Sequence, residues 1–323
     1  MSVVIPVYKR PELLRRAVQS VLAQTHRPLE LVVVDDGSPD DTFEQLQAMT
    51  ADVESAGVTP SFHTKSNGGV ASARNFGIGK AAGEYITLLD ADDEYFPSKI
   101  EKQLAAVQAD DADAAVCQVE RRVGERVSLY PAEVCGLLRG HDPAGVMNLK
   151  AWAHTNALFL SRGLIERAGV YDETLKIFED DEYLIRLAHH GKFAAVSEAL
   201  ATWEDQPGSL SQVPDLKTLL WRDENRRRQL RATRDKCLAL PGWDEDAWKT
   251  SVARWYKQII NHYIWSNDLK AATEWLKEGV ELAGWKPLLR RQRKKLRKAR
   301  LLGLIGMRVR NPKNDPIYDY PSV

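Results

Sequence analysis

Cysteine is scarce in this chain of 323 residues. Cys117, Cys135 and Cys237 have neither paired nor metal-type spacing. That pattern excludes a disulfide scaffold and a thiolate metal site, and predicts reduced thiols in a cytoplasmic protein. No apolar run reaches the ~18 residues of a membrane-spanning helix. No charged leader precedes an apolar segment; the chain opens on the strand pattern Ser2-Val3-Val4-Ile5, which predicts no secretory signal. Low-complexity tracts and internal repeats are also missing. Net charge is zero, but the neutrality is a balance of two unequal parts. Residues 286–323 carry twelve Lys and Arg against two Asp, a balance of +10, so the rest stands at −10. An acidic body with a basic tail points to an interaction tail rather than to general nucleic-acid affinity.

What is present is a repeated alternation of strand and helix signals. Val3 to Val7 reads as a strand, and Pro11 then opens an amphipathic helix with Leu13, Leu14, Ala17, Val18, Val21 and Leu22 on one stripe. Glu30 to Val34 is a β-branched run broken by Asp35-Asp36-Gly37. Ser38-Pro39-Asp40-Asp41 reads as an N-cap, a Pro at the first helical position and a capping-box acid. Ser61 to Lys65 is a third strand, Val70 to Ala82 a helix stopped by Gly83, and Glu84 to Leu89 a buried strand. This alternation predicts an α/β fold with a mostly parallel sheet flanked by helices. Residues 111–200 are mixed, with short strands near Ala114–Val119 and Asn156–Leu160 and helices near Ser161–Ala168 and Asp180–His190. From about residue 212 the pattern is helical: Leu216–Arg234, Asp244–Trp265 and Leu269–Ala283, with Pro241-Gly242 a break. Seven of the nine Trp lie there, and tryptophans at helical spacing read as packing. The predicted organisation is an α/β region over 1–210, a helical region over 211–285 and a basic tail over 286–323.

Four segments fall at strand ends or helix starts. Ile5-Pro6-Val7-Tyr8-Lys9-Arg10 leaves a strand and enters a helix, so Pro6, Val7 and Tyr8 face a base or ribose. In Val34-Asp35-Asp36-Gly37-Ser38, Asp36 can accept the imide N–H of uracil or thymine; an Asp before Gly is also an ordinary turn residue. In Asn67-Gly68-Gly69-Val70-Ala71-Ser72-Ala73-Arg74-Asn75, Gly68 permits close backbone approach and the helix start favours anions. Arg74 can reach a phosphate or pair with an acid of the same cleft. Finally, Leu88-Leu89-Asp90-Ala91-Asp92-Asp93 ends an apolar run in three carboxylates, where open α/β sheets bind ligands. Asp-x-Asp there can hold a hard divalent cation; in isolation it reads equally as a solvated acidic turn.

In this order and spacing the four segments resemble the inverting family 2 glycosyltransferases with the GT-A fold, whose pattern runs strand-IPVYN, VDDGS, NxGxxxARN and LDxDD; Lys9 stands where Asn is common. The resemblance covers about residues 1–210. It implies that Asp36 binds the nucleobase, Asp90 sits near the ribose and diphosphate, and Asp92 holds Mg²⁺ or Mn²⁺. Phe178-Glu179-Asp180-Asp181-Glu182-Tyr183-Leu184-Ile185-Arg186-Leu187 resembles the family's Glu-Asp segment, implying Asp180 as the base that deprotonates the acceptor and Glu179 as its neighbour. Taken alone, this stretch is a helix N-terminus decorated with acids. Trp152, His154 and Asn156 lie in the region that lines the family's acceptor and sugar pocket.

Two departures matter. The family's Tyr-Arg-x-His-x-x-Ser segment corresponds to Trp203-Glu204-Asp205-Gln206-Pro207-Gly208-Ser209, with Gln206 at the His position. The Gln-x-x-Arg-Trp of processive synthases is missing; Ser251-Val252-Ala253-Arg254-Trp255 keeps only the last two residues and reads as core helix. The expectation is therefore a metal-dependent, non-processive transferase. It moves one sugar from a nucleotide-diphospho-sugar, with a UDP-sugar favoured, to a glycan or glycolipid of bacterial surface polysaccharide or lipopolysaccharide. The alternatives are a sugar-nucleotide-binding partner protein without catalysis, supported by Gln206, and a nucleotidyltransferase, which lacks its Gly-rich phosphate loop here. Lys286 to Arg310 interleaves eleven cations with Leu288, Leu289, Leu296, Leu301, Leu302, Leu304, Ile305 and Met307. Such a helix suits an anionic membrane surface, or packs as a charged helix on the acidic body. The expected location is cytoplasmic, peripheral at the inner membrane face.

Overall fold

The computed structural model describes residues 1–133, 136–205, 215–304, 307 and 309. It divides into two compact units, Met1–Val146 with Lys150–Ser209, and Met147–Leu149 with Leu210–Val323.

In the first unit the elements run β1 (Ser2–Val7), α1 (Pro11–Leu22), β2 (Leu29–Asp35), α2 (Thr42–Ala48), α3 (Thr50–Ser55), β3 (Val58–Thr64), α4 (Val70–Lys80), β4 (Tyr85–Leu88), α5 (Lys99–Asp110), β5 (Ala114–Val123), β6 (Arg126–Tyr130), α6 (Pro143–Met147), β7 (Phe159–Ser161), α7 (Arg162–Ala168), α8 (Glu179–His190) and β8 (Phe193–Glu204). One sheet has the order β3-β2-β1-β4-β7-β5-β6, with β8 paired to β5. The β3-β2-β1-β4 half is parallel. β7 joins β4 and β5 antiparallel, and β8 pairs β5 in parallel. β1 is buried along its whole length. Val3, Val4, Ile5, Leu31, Val32, Val33 and Val34 have no exposed surface, and each such side chain contributes on the order of 1.5–3 kcal/mol by burial. A central strand covered on both faces must be continuously apolar, as these are.

Pro11 does open α1, whose buried face is Leu14, Ala17, Val18, Ser20 and Val21. The capping box at Ser38 is corrected: α2 begins at Thr42 behind Asp41, with no side-chain cap. The Ser38 amide instead donates to Asp35 Oδ1 at 3.1 Å, which keeps the chain in a turn. The strand expected over Asn156–Leu160 is also corrected. Thr155–Ala157 forms a 3₁₀ turn with His154 as its cap, and the strand starts at Phe159. β6 and β8 were not legible as strands.

The second unit contains α9 (Leu216–Cys237), α10 (Glu245–Trp265), α11 (Leu269–Ala283) and α12 (Pro287–Leu304). Trp248 and Trp275 are buried, as a packing set requires, while Trp221 and Trp285 are exposed. Ser251, Val252 and Ala253 lie inside α10, and Arg254 Nη1 donates to the Asn148 carbonyl at 2.6 Å. α12 buries Leu289, Gln292, Leu296 and Ala299 along one stripe. No helix among the described residues is long and apolar enough to cross a membrane.

Candidate active site

The four sequence segments meet at the carboxyl ends of the parallel strands. β1, β2 and β4 deliver Val7, Asp35 and Leu88 to one edge of the sheet, and the loops beyond them carry the polar residues. Pro6 and Val7 are buried, and Tyr8 is exposed at 45%. Lys9 and Arg10 both take the left-handed conformation, φ 60° and 67°. The Lys9 amide is held by Ser38 Oγ at 2.7 Å.

Asp36, one residue past β2, is buried. Its carboxylate accepts from the amides of Gly68 at 3.0 Å and Gly69 at 2.7 Å and pairs with Lys65 Nζ at 2.9 Å. Asn67 Nδ2 donates to the Asp36 carbonyl at 2.9 Å. Gly37 makes this closure possible. Its φ is +73°, and a Cβ would lie 2.9 Å from Asn67 N and Lys65 O. Asp36 therefore organises the loop that starts α4.

Arg74 lies one turn into α4 and is 4% exposed. Nη2 donates to Asp90 Oδ1 at 2.7 Å and Nη1 to Glu179 Oε1 at 2.8 Å, joining residues 105 apart in sequence. The guanidinium stands 5.3 Å from the Tyr171 ring centroid. Arg74 is thus committed to two acids of the cleft, the second of the two uses its sequence allowed. Burial opposes charge on Asp90, but Arg74 and then His154 outweigh it and hold Asp90 below the usual carboxylate range.

Asp92 is the outer carboxylate of the turn, its side chain 19% exposed, and it ion-pairs with Arg10. Asp93 is buried and accepts from the Glu204 amide at 2.6 Å and from Asn156 Nδ2 at 2.5 Å. Burial, then Asp90 and Asp92, push Asp93 well above the usual range. Asn156 corrects the expectation of a sugar contact. It is fully buried, its Oδ1 accepts from the Asp90 amide at 3.0 Å, and Nδ2 also donates to the Thr202 carbonyl at 3.0 Å. It fixes the acidic turn from behind.

Glu179 and Asp180 head α8, where the helix dipole favours carboxylates. The preceding Phe178 is held at φ 65°, a strained value for an aromatic residue. Asn75 locks the loop before it, accepting from the Tyr171 amide at 2.9 Å and donating to the Tyr171 carbonyl at 3.0 Å. Asp180 accepts from the Asp181 amide at 2.9 Å. Burial first, then Asp181 and Glu179, push its carboxyl up to about 8, against a smaller opposing pull from Arg74.

His154 Nδ1 accepts from the Asn156 amide at 3.2 Å, which assigns the ring proton to Nε2. Burial first, then Arg74, lower its pKa to about 4 against the opposing pull of Asp90, so the ring is neutral. It stacks on Trp203 at 4.9 Å, and Tyr130 meets Trp152 edge-on at 4.2 Å. Arg121 covers the Trp203 ring at 4.7 Å. Tyr130 and Trp203 were not among the expected site residues, because an aromatic at a strand end reads as core. Arg10 and Lys65 were missed for another reason: nothing in the sequence says which cation faces which acid. Gln206 lies outside the described residues.

Among the described residues no three His, Cys, Asp or Glu side chains cluster to hold a metal ion. The hard carboxylate oxygens of Asp92 and Asp90 nevertheless suit Mg²⁺ or Mn²⁺, which protein sites commonly bind through one or two carboxylates plus substrate phosphates.

Residues 2–157 match Glycosyl transferase family 2. An uncharacterized glycosyltransferase of Rickettsia typhi is 34% identical over 184 residues, 56% of this chain and 56% of that protein. One from Nostoc sp. is 32% identical over 209 residues, 62% of this chain and 63% of that protein. The chain thus spans little more than half the length of such relatives. Among solved structures, S. aureus TarS superposes with a TM-score of 0.61 at 16% identity, covering 91% of this chain and 52% of that one. TarS 1-349 in complex with UDP-GlcNAc gives 0.57 at 13% identity, covering 91% of each chain. The mannosyltransferase PcManGT of Pyrobaculum calidifontis, in complex with GDP-Man and Mn²⁺, gives 0.58 at 18%, covering 94% and 86%. These likenesses show the GT-A fold.

Proposed function

We propose that the chain, whose residues 2–157 match Glycosyl transferase family 2, is a metal-dependent, inverting glycosyltransferase. It moves one sugar from a nucleotide-diphospho-sugar to a hydroxyl of a glycan or glycolipid. The observation that carries this reading is the Asp90–Arg74–Glu179 chain, which ties the acidic turn after β4 to the head of α8. Donor-side and acceptor-side carboxylates are thereby held in one rigid cleft.

Tyr8 and the loop closed by Asp36 form the base and ribose side, with a uracil donor favoured. Asp92, assisted by Asp90, would hold Mn²⁺ or Mg²⁺. When bound, the ion neutralises charge that builds on the departing nucleoside diphosphate. Asp180 takes the proton of the acceptor hydroxyl as that oxygen attacks the anomeric carbon from the face opposite the leaving group, so no covalent enzyme intermediate forms. A carboxyl pushed up to about 8 is a far stronger proton acceptor, once ionised, than an ordinary Asp. Glu179, fixed by Arg74, sets the position of its neighbour. Neutral His154, Trp152 and Trp203 line the acceptor and sugar side.

The setting is synthesis of a bacterial surface glycan such as lipopolysaccharide or capsule, with the protein cytoplasmic and peripheral at the membrane. α12 supports the second point. Arg290, Arg291, Arg293, Lys294, Arg297, Lys298 and Arg300 are exposed around its buried stripe, and Leu301, Leu304 and Met307 are exposed at its end.

The test is a thermal-shift screen of UDP, GDP, dTDP and their sugars, with and without Mn²⁺. A ligand that binds only the folded state raises the melting temperature. Metal-dependent stabilisation by one nucleotide, lost in Asp92→Asn, is the expected result. No shift with any nucleotide at saturating metal would defeat the proposal.

A further inference from the structure

Three acids of the donor side, Asp36, Asp90 and Asp92, each face a cation. Asp36 has Lys65 at 2.9 Å, and Asp90 has Arg74 at 2.7 Å. These two pairs are built in: Lys65 is further held by the Ser66 carbonyl at 2.7 Å, and the Arg74 side chain is 5% exposed. The Arg10–Asp92 pair differs. The Arg10 side chain is 38% exposed, twice the 19% of Asp92. Its backbone is the unusual part. Lys9 and Arg10 both hold φ near +60°, a region that L residues with a Cβ enter at an energetic cost. Ser38 Oγ anchors the Lys9 amide at 2.7 Å, and Pro11 fixes the start of α1 immediately after. Two strained residues between two anchors are spent on bringing a guanidinium from the end of β1 to a carboxylate 82 positions later.

A guanidinium and a divalent cation compete for the same carboxylate. We propose that Arg10 is the resident counter-ion of Asp92, and that a divalent cation loads the site by displacing it. Arg10 is thus a positioning residue: it stabilises the ligand-free turn, where Asp90, Asp92 and Asp93 would otherwise repel one another, and it sets the affinity for the ion. Its long, half-exposed side chain swings into solvent without disturbing the buried Arg74 pairs. This rests on the reading of Asp92 as the cation-holding residue.

The experiment is Mn²⁺ binding to the full chain in the presence of UDP, whose phosphates complete the coordination, followed by the electron paramagnetic resonance signal of the ion against UDP alone. The variants are Arg10→Gln, Arg16→Gln and Asp92→Asn. Arg16, in α1, pairs with Glu94 in the segment after β4, so Arg16→Gln removes one positive charge nearby without touching Asp92. Arg10→Gln is expected to bind Mn²⁺ about three- to tenfold more tightly than wild type, Arg16→Gln to match wild type, and Asp92→Asn to lose binding. If Asp92→Asn loses binding but Arg10→Gln binds no more tightly than wild type, or no more tightly than Arg16→Gln, the counter-ion proposal is wrong and the cation reading survives. If Asp92→Asn binds as wild type does, or Arg10→Gln binds no Mn²⁺, both fall together.

Discussion

Asp90 and Asp180 stand near the same arginine and titrate in opposite directions. Burial pushes both carboxyls up. Arg74 Nη2 touches Asp90 directly, and with His154 it carries Asp90 below the usual range. At α8 the other guanidinium nitrogen touches Glu179, not Asp180. Asp180 is left between Glu179 and Asp181, and its carboxyl rises to about 8. One residue of offset at the head of α8 therefore separates Glu179, which touches Arg74, from Asp180, which does not and holds its proton to about pH 8. Direct contact with a cation, not depth of burial, decides which is which.

Variants at the two ends of this chain should separate binding from chemistry. Asp180→Asn should lower kcat by about 10²–10⁴-fold, the usual worth of a general base, with nucleotide affinity held in calorimetry. Asp92→Asn should lower turnover by about 10²–10³-fold, the scale for removing one electrostatic stabiliser of a developing charge, and should also erase the effect of Mn²⁺ on nucleotide binding. Arg74→Gln removes the shared partner and leaves Asp90 and Glu179 facing each other in a buried cleft. It should cost about 3–5 kcal/mol in chemical denaturation, the range for breaking a buried pair.

The pH dependence sharpens the contrast further. Asp180 in the folded chain holds its proton up to about pH 8, whereas an unfolded Asp releases it near ~3.9. Its stabilising contribution is therefore complete below the unfolded value and is lost as pH rises toward 8. Asp180→Asn should remove that loss, so between pH 5 and 8 the variant should gain about 2–4 °C in Tm relative to wild type. Turnover should rise with pH through about 8, as the base ionises, and flatten above. A rate that falls across that window would place the base elsewhere. The smallest effect is expected at α12. Reversing two of its exposed cations, Arg291→Glu and Lys298→Glu, should weaken sedimentation with anionic vesicles by about 1 kcal/mol per removed charge and leave neutral vesicles unaffected.

Much of the first unit was legible because its signals are local. β1, β2 and β4 are apolar runs with breaks, α1 follows its periodicity from Pro11, and α4 lies between Gly69 and Gly83. β8 was not legible because Phe193–Glu204 is rich in Ala and becomes a strand only through pairing with β5 across many residues. α2 starts late because Asp35 captures the Ser38 amide, a competition that a capping pattern does not display. Within the site, the acids were found by their motifs, but of their cationic partners only Arg74 was; Arg10 and Lys65 were not. Asn156 looks the same in sequence whether it faces a ligand or, as here, braces Asp90 and Asp93 from inside. Arg10 reaches Asp92 only through two left-handed residues that no residue type announces.

The most direct test of this division of labour is a calorimetric titration of UDP-GlcNAc and GDP-mannose in Mn²⁺, paired with turnover, on wild type, Asp92→Asn and Asp180→Asn. The account predicts that for the true donor Asp180→Asn binds like wild type and does not turn over, while Asp92→Asn loses metal-dependent binding. It is contradicted if Asp180→Asn turns over at the wild-type rate, or if Asp92→Asn retains full metal-dependent affinity.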